Sequence, residues 1–159
     1  MGKINYGRVI LGGIVGGLVA GFLDWFLNGV LMGQQWDDAM KSLNRQNAFS
    51  GAFLYCLFLV YIVGGILLVW LYAAMRPRFG AGVRTAVYTG LIIWALGGLL
   101  PNIMNAVMGL YTTRLTFYST LAGMVELVVG AIVGASLYKE AETARVDYPV
   151  AAEASHSAR

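Results

Sequence analysis

The sequence predicts an all-α integral membrane protein: four transmembrane helices in a bundle, with a short amphipathic helix after the first span. Three observations carry this. Of 159 residues, 58% are hydrophobic and only 12% charged, about half the charge of an ordinary soluble domain. The mean hydropathy is +0.68. The charges are also bunched. Residues 46–75 and 85–113 contain none, and residues 9–36 and 115–138 contain one each, Asp24 and Glu126. A bilayer core about 30 Å thick needs roughly 20 apolar residues in a helix, and each stretch supplies them.

The first span, placed at 9–33, is too long for the apolar core of a signal peptide, about 7–15 residues, so it is expected to stay as a helix. It opens on Gly12, Gly13, Gly16, Gly17 and Gly21. No strand precedes these glycines, which removes the phosphate-loop reading; their spacing is the small-xxx-small pattern that lets helices approach closely. In the next loop, Trp36, Ala39, Met40 and Leu43 recur at helical spacing among polar residues, an amphipathic helix lying in the outer interface. The second span is placed at 49–75. Arg76-Pro77-Arg78-Phe79-Gly80-Ala81-Gly82 reads as a tight turn, with proline stopping the helix and two glycines allowing the reversal. The third span, 85–110, contains Pro101, and the fourth covers 116–138. From Lys139 to Arg159 the chain is a polar tail, into which the last helix is expected to run for a turn or two.

Lys and Arg fix the orientation. The N-terminus, the middle loop and the tail hold eight, the other two loops three (Lys41, Arg45, Arg114). The excess marks the cytoplasmic side, so both termini are expected inside. The net charge of +3 sits at helix ends and forms no phosphate-tracking stripe, which argues against nucleic acid. Cys56 is the only cysteine, so no intrachain disulfide or redox pair exists. His156 is the only histidine and sits in the tail, leaving no zinc cluster; no cofactor is expected. A weak repeat is visible. Arg8, Gly21 and residues 30–33 match Arg84, Gly97 and residues 106–109 at an offset of 76, and Val63-Gly64-Gly65-Ile66 matches Val129-Gly130-Ala131-Ile132 at 66.

The residues that could carry chemistry lie on the glycine faces. Gly13, Gly17 and Gly21 step on to Asp24 and Asn28. In the fourth span Ser119, Gly123, Glu126, Gly130 and Gly134 form a similar row, and the two rows are expected to oppose each other. Asp24 and Glu126 both lie about 14–15 Å below the outer surface, so two carboxyls share one depth near the midplane. Asn102 and Asn105, after Pro101, stand slightly nearer the outside. No Lys, Arg or His lies within any span, and an unpaired carboxylate at the bilayer centre costs about 2.5–3.5 kcal/mol. The carboxyls therefore carry or share a proton, are held by Asn28, Asn102, Asn105 or a tyrosine hydroxyl, or take a cation from outside the chain. The plain structural alternative is a hydrogen-bonded tie between helices, worth about 0.6–2 kcal/mol. The methionines are expected to be packing filler, since no histidine accompanies them as a metal ligand.

Leu27-Asn28-Gly29-Val30-Leu31, Gln35-Trp36, Ala39-Met40, Trp70-Leu71-Tyr72-Ala73-Ala74, Arg76-Pro77-Arg78-Phe79-Gly80 and Glu126 together resemble a group of small bacterial four-helix inner-membrane proteins of unknown function. The resemblance spans most of the transmembrane region and implies four spans and a bacterial inner membrane, without an activity. Asp24 departs from the Glu more usual in that group. Three functions compete. The first is a non-catalytic accessory subunit packed against a larger membrane complex or a second copy, favoured by the glycine seams and sparse polar equipment. The second is a small proton- or cation-coupled transporter using Asp24 and Glu126. In size and in its first-helix acid the chain is similar to the small multidrug exporters, although its Lys/Arg bias points to one fixed orientation. The third, a membrane enzyme acting on lipid, lacks a histidine, a serine–base pair or a metal cluster. A polar cleft reaching the acids would favour transport; a dry, filled bundle would favour the accessory role.

Overall fold

A computed structural model describes residues 4–140 of the chain. The described residues are all-helical, without a strand, and comprise α1 (Tyr6–Leu31), α2 (Gly33–Ser42), α3 (Gly51–Phe79), α4 (Val83–Val107) and α5 (Thr113–Ser136). All but α2 are long and apolar enough to cross a membrane. The predicted tail falls almost wholly outside the described residues.

Local chemistry sets the ends of these helices. The Asn5 side chain accepts the Arg8 N–H at 3.2 Å, and the Thr112 hydroxyl accepts the Leu115 N–H at 3.3 Å, each satisfying one of the free donors of a helix start. α4 closes in a Schellman turn on Gly109, whose φ is 66°: Leu110 N–H reaches Asn105 O and Gly109 N–H reaches Ala106 O, both at 3.1 Å. α2 ends the same way on Asn44 (φ 56°), with Arg45 N–H on Met40 O at 2.8 Å. The reversal between α3 and α4 uses Gly80 (φ 83°) and Gly82 (φ 129°), conformations that a side chain would oppose.

Three sequence expectations need correction here. Pro77 does not stop α3, which runs on to Phe79. A proline so near the C-terminal end forfeits one ladder bond without breaking the last turn, and the glycines make the stop. α5 does not run into the tail either. It ends at Ser136, and Leu137 and Tyr138 tighten into i→i−3 bonds on Gly134 and Ala135. The buried Tyr138 draws the chain aside: its ring packs edge-on against Tyr72 at 6.0 Å, lies under the Arg76 guanidinium at 5.6 Å, and its hydroxyl accepts the Asn5 N–H at 3.4 Å. Third, the row Gly13, Gly17 and Gly21 faces α3, meeting Ile66 and Tyr61. It is Gly12 and Gly16 that oppose Gly134 and Gly130 of α5. With five glycines in ten residues α1 has two small faces, and each admits a different neighbour.

The long helices pack antiparallel, α1 between α3 and α5, and α4 against α5. Each half of the sequence repeat forms such a hairpin, but the registers differ by about a turn. Gly17 lies on Tyr61 and Ile62, whereas on Leu127 and Val128 it is Gly90 and not Ile93 that lies. The dry core sits in the half nearest the described termini and gathers Val9, Leu68, Val69, Tyr72, Ala86 and Ala131. Thr85 and Thr89 are buried there because their hydroxyls donate to backbone carbonyls, Gly80 O at 2.7 Å and Thr85 O at 2.8 Å. The half nearest α2 is looser. There α1 widens into a π-helical segment from Trp25 to Leu31, and α4 does so from Ala95 to Leu99. In α4 the cause is legible: Pro101 offers no N–H to the preceding turn, and Leu100 N–H bonds instead to Ala95 O, five residues back.

Candidate functional site

Four elements converge on one polar cluster where the dry core ends. Asn28 is four residues after Asp24 and so shares its helix face. Its Nδ2 donates to Asp24 Oδ1 at 2.9 Å and to Glu126 Oε1 at 3.1 Å. One amide thus ties both carboxyls together across α1 and α5. The orientation of that amide is set from α2: the Trp36 indole N–H donates to Asn28 Oδ1 at 3.2 Å. Indole is a donor only, so the amide oxygen must face Trp36 and the two amide hydrogens must face the acids. Trp36 is in turn held edge-on by Tyr111, with ring centroids 5.2 Å apart. From α3 the Tyr61 hydroxyl donates to Glu126 Oε2 at 3.3 Å.

The cluster's charge is not balanced by the chain. Ion pairs among the described residues are Lys41–Asp38 and Arg76–Glu140, both away from it. The shared amide puts the two accepting oxygens at most about 6 Å apart. Two full charges at that distance repel by roughly 3 kcal/mol at an effective dielectric near 20. Three neutral donor hydrogens serve four carboxyl oxygens. Glu126 is 2% exposed, so water does little for it. Chemically, the arrangement can hold a proton on one of the two carboxyls or accept a small cation on their oxygens. Among the described residues no three His, Cys, Asp or Glu side chains gather, so any cation held here would have two carboxyls, an amide and a phenol for company.

Two cavities adjoin the cluster. One of about 610 Å³ lies between α2, the α2 ends of α1 and α3, and Tyr111. A second, of about 320 Å³, lies among the four long helices and is lined in part by Tyr61, Trp94, Gly123 and Glu126. Asp24 and Asn28 line both, so they form the shared wall. Gly64 and Gly97 border the inner cavity, and a Cβ at either would meet nothing within 4 Å. That open space is itself a product of small residues.

The structure therefore brings Asp24, Asn28 and Glu126 together and leaves Asn102 and Asn105 elsewhere. Asn102 donates to the Thr120 hydroxyl at 2.9 Å and accepts from Asn105 at 3.5 Å, a separate line joining α4 to α5. Trp94 closes that line with an N–H to Thr120 O at 2.8 Å. Of the glycines read as packing residues, Gly130 and Gly134 meet α1, Gly13, Gly17 and Gly21 meet α3, and Gly123 faces Trp94. Two side chains of the cluster escaped sequence reasoning by name. Tyr61 lies about 22 Å along α3 from Arg76, too deep for an interfacial aromatic, and a buried phenol needs a partner. That signal was readable. Trp36 was assigned to the outer interface, and nothing in its spacing pointed at Asn28.

Comparison of the chain with protein-family models, curated proteins and solved structures finds no match. The geometry of the site has to carry the function.

Proposed function

We propose that the chain is a small integral membrane protein that moves a proton or small cation by binding it between Asp24 and Glu126, as a proton- or cation-coupled transporter. The observation that carries this reading is the shared wall: Asp24 and Asn28 border both the α2-end cavity and the cavity among the long helices. A site that meets two cavities can be reached from one and released to the other. The neutral environment of the acids supports it too, because an intramembrane carboxyl without a cationic partner is a functional group by default.

Membrane placement is supported by the outward side chains. Phe22, Tyr55, Phe58, Leu59, Val60 and Val107 are between 56% and 81% exposed, a surface that water would not tolerate over such an area. The Lys/Arg bias puts both termini in the cytoplasm and α2 outside, and the resemblance in sequence suggests a bacterial inner membrane. Reconstitution into liposomes tests the transport reading. Under an imposed pH gradient, with and without Na⁺ or K⁺, the wild type is expected to dissipate the gradient faster than empty vesicles. Asp24→Asn and Glu126→Gln are expected not to. Equal rates for protein-containing and empty vesicles would refute the reading.

A second reading, an accessory subunit without catalytic machinery, draws on the exposed face of α3. The glycine rows are consumed inside the chain, so a partner would meet Tyr55, Phe58 and Leu59 instead. Gentle extraction followed by native mass determination distinguishes the two: a stoichiometric larger partner supports the accessory role, and a monomer or homo-oligomer supports transport.

A further inference from the structure

The cavity of about 320 Å³ among the long helices has a side entrance. α3 and α4 are held together near their turn, where the Phe79 and Tyr88 rings meet at 6.2 Å and the Thr89 hydroxyl donates to Met75 Sδ at 3.6 Å. Toward the α2 half they part. Val60 of α3 and Gly97 of α4 both line the cavity and both are exposed, and a Cβ at Gly64 or Gly97 would meet nothing within 4 Å. Val60 and Gly97 stand about 14–15 Å inside the α2-side ends of their helices. In a spanning bundle that level is hydrocarbon, and the gap is flanked by the exposed Val63, Leu67 and Leu96. Whatever fills the cavity by this route comes out of the lipid.

The polar side chains of the wall are Asp24, Asn28, Tyr61, Trp94, Ser119 and Glu126. Every side-chain N–H and O–H of the four neutral ones is already donated within the chain. Asn28 gives both amide hydrogens to the acids, and Tyr61 gives its hydroxyl to Glu126. Trp94 donates to Thr120 O at 2.8 Å and Ser119 to Thr116 O at 3.2 Å. What remains is acceptor capacity on carboxyl, phenol and hydroxyl oxygens, so the occupant must bring a donor. An ammonium would do so, but a charge is costly to carry through hydrocarbon, which leaves a neutral hydroxyl. The Trp94 ring has its place because Gly98 and Gly123 are small: a Cβ at either would stand 3.2 Å or 3.7 Å from it. Its N–H bond fixes the ring before anything binds. A flat ring is the body that an indole and glycine walls receive with most contact. We infer that this cavity binds a lipid-soluble phenol, the class to which membrane quinols belong. The ring lies beside Trp94, its hydroxyl donates to Glu126, and its tail leaves between α3 and α4. This rests on the membrane placement of the helices and not on ion transport.

The test uses the full chain in lipid nanodiscs and equilibrium dialysis, with empty nanodiscs subtracted. The probes are para-nonylphenol and its methyl ether, para-nonylanisole, which keeps the ring and tail and lacks the donor. Saturable binding of the phenol, with the ether about tenfold weaker or more, is the expected result. Gly97→Leu and Gly64→Leu fill the entrance from opposite sides, and each is expected to weaken the phenol by about tenfold or more. Glu126→Met removes the acceptor and is expected to bring the phenol down to the level of the ether. The comparison of the two probes on the wild type needs no variant, so a folding defect cannot mimic success or failure. Equal binding of phenol and ether overturns the proposal, as does no binding of the phenol beyond that of empty nanodiscs. Phenol binding that survives both leucine variants, or a preference for the phenol that survives Glu126→Met, overturns it too. Ion flux in liposomes without phenol binding would keep the transport reading and remove this one.

Discussion

Replacing Gly16 by alanine puts a methyl group 2.6 Å from the carbonyl oxygen of Gly130 and 3.1 Å from Cα of Gly134. Both are backbone atoms, so no side chain can swing aside. Restoring an ordinary contact of about 3.4 Å requires α1 and α5 to part by about 0.8 Å. A gap of that size forfeits a quarter to a half of the dispersion well along the seam, and overpacking of this kind costs roughly 1–3 kcal/mol. Alanine's better helix propensity returns about 1 kcal/mol, so a net loss of up to about 2 kcal/mol is expected. The same movement stretches the 3.1 Å bond from Asn28 to Glu126 past hydrogen-bonding range. Reversible unfolding in mixed detergent micelles measures the first effect and ion flux the second. Gly64→Ala is the control, because a Cβ there meets nothing within 4 Å. Equal stability of Gly16→Ala and Gly64→Ala would refute the packing argument.

Other substitutions separate the parts of the site. Trp36→Phe keeps the ring but removes the donor that orients Asn28; a loss of about 1 kcal/mol in the same unfolding assay and a slower ion flux are expected. Tyr61→Phe removes the hydroxyl serving Glu126 and keeps the ring against Gly21, so flux should fall while stability drops by no more than about 1.5 kcal/mol. Gly97→Leu places bulk at the edge of the inner cavity where no atom opposes it; it is expected to fold and to block flux. Asn102→Ala breaks the link to Thr120 and should leave flux at the wild-type rate, since that line does not touch the carboxyls.

The four long helices were legible because uncharged length is a coarse property that a bilayer core demands. The site was legible in part because an acid without a cation in a long apolar stretch is conspicuous, and Asn28 shares its face by simple spacing. The glycine faces were misassigned for a geometrical reason. Gly12 and Gly13 are about 100° apart around the helix, and spacing alone does not say which face meets which neighbour. The end of α5 was missed because Tyr138 is captured by Tyr72 and Asn5, residues distant in sequence. Trp36 escaped because α2 could lie in an interface or fold back over α1 with the same amphipathic pattern. The wider turns of α1 and α4 have a sequence signal only in α4, at Pro101.

The central claim is that Asp24 and Glu126 respond together to a proton or cation and that Asn28 feels the change. Trp36 reports on this directly, because its N–H ends on the same amide. The chain contains four tryptophans, and incorporation of 5-fluorotryptophan gives each its own fluorine resonance, with Trp36→Phe supplying the assignment. The Trp36 resonance is expected to move with pH or with added Na⁺ or K⁺, and to stay fixed in the Asp24→Asn/Glu126→Gln double variant. A Trp36 resonance that ignores pH and salt would contradict the claim, and so would one whose movement survives the double variant, which would belong to its neighbour Asp37.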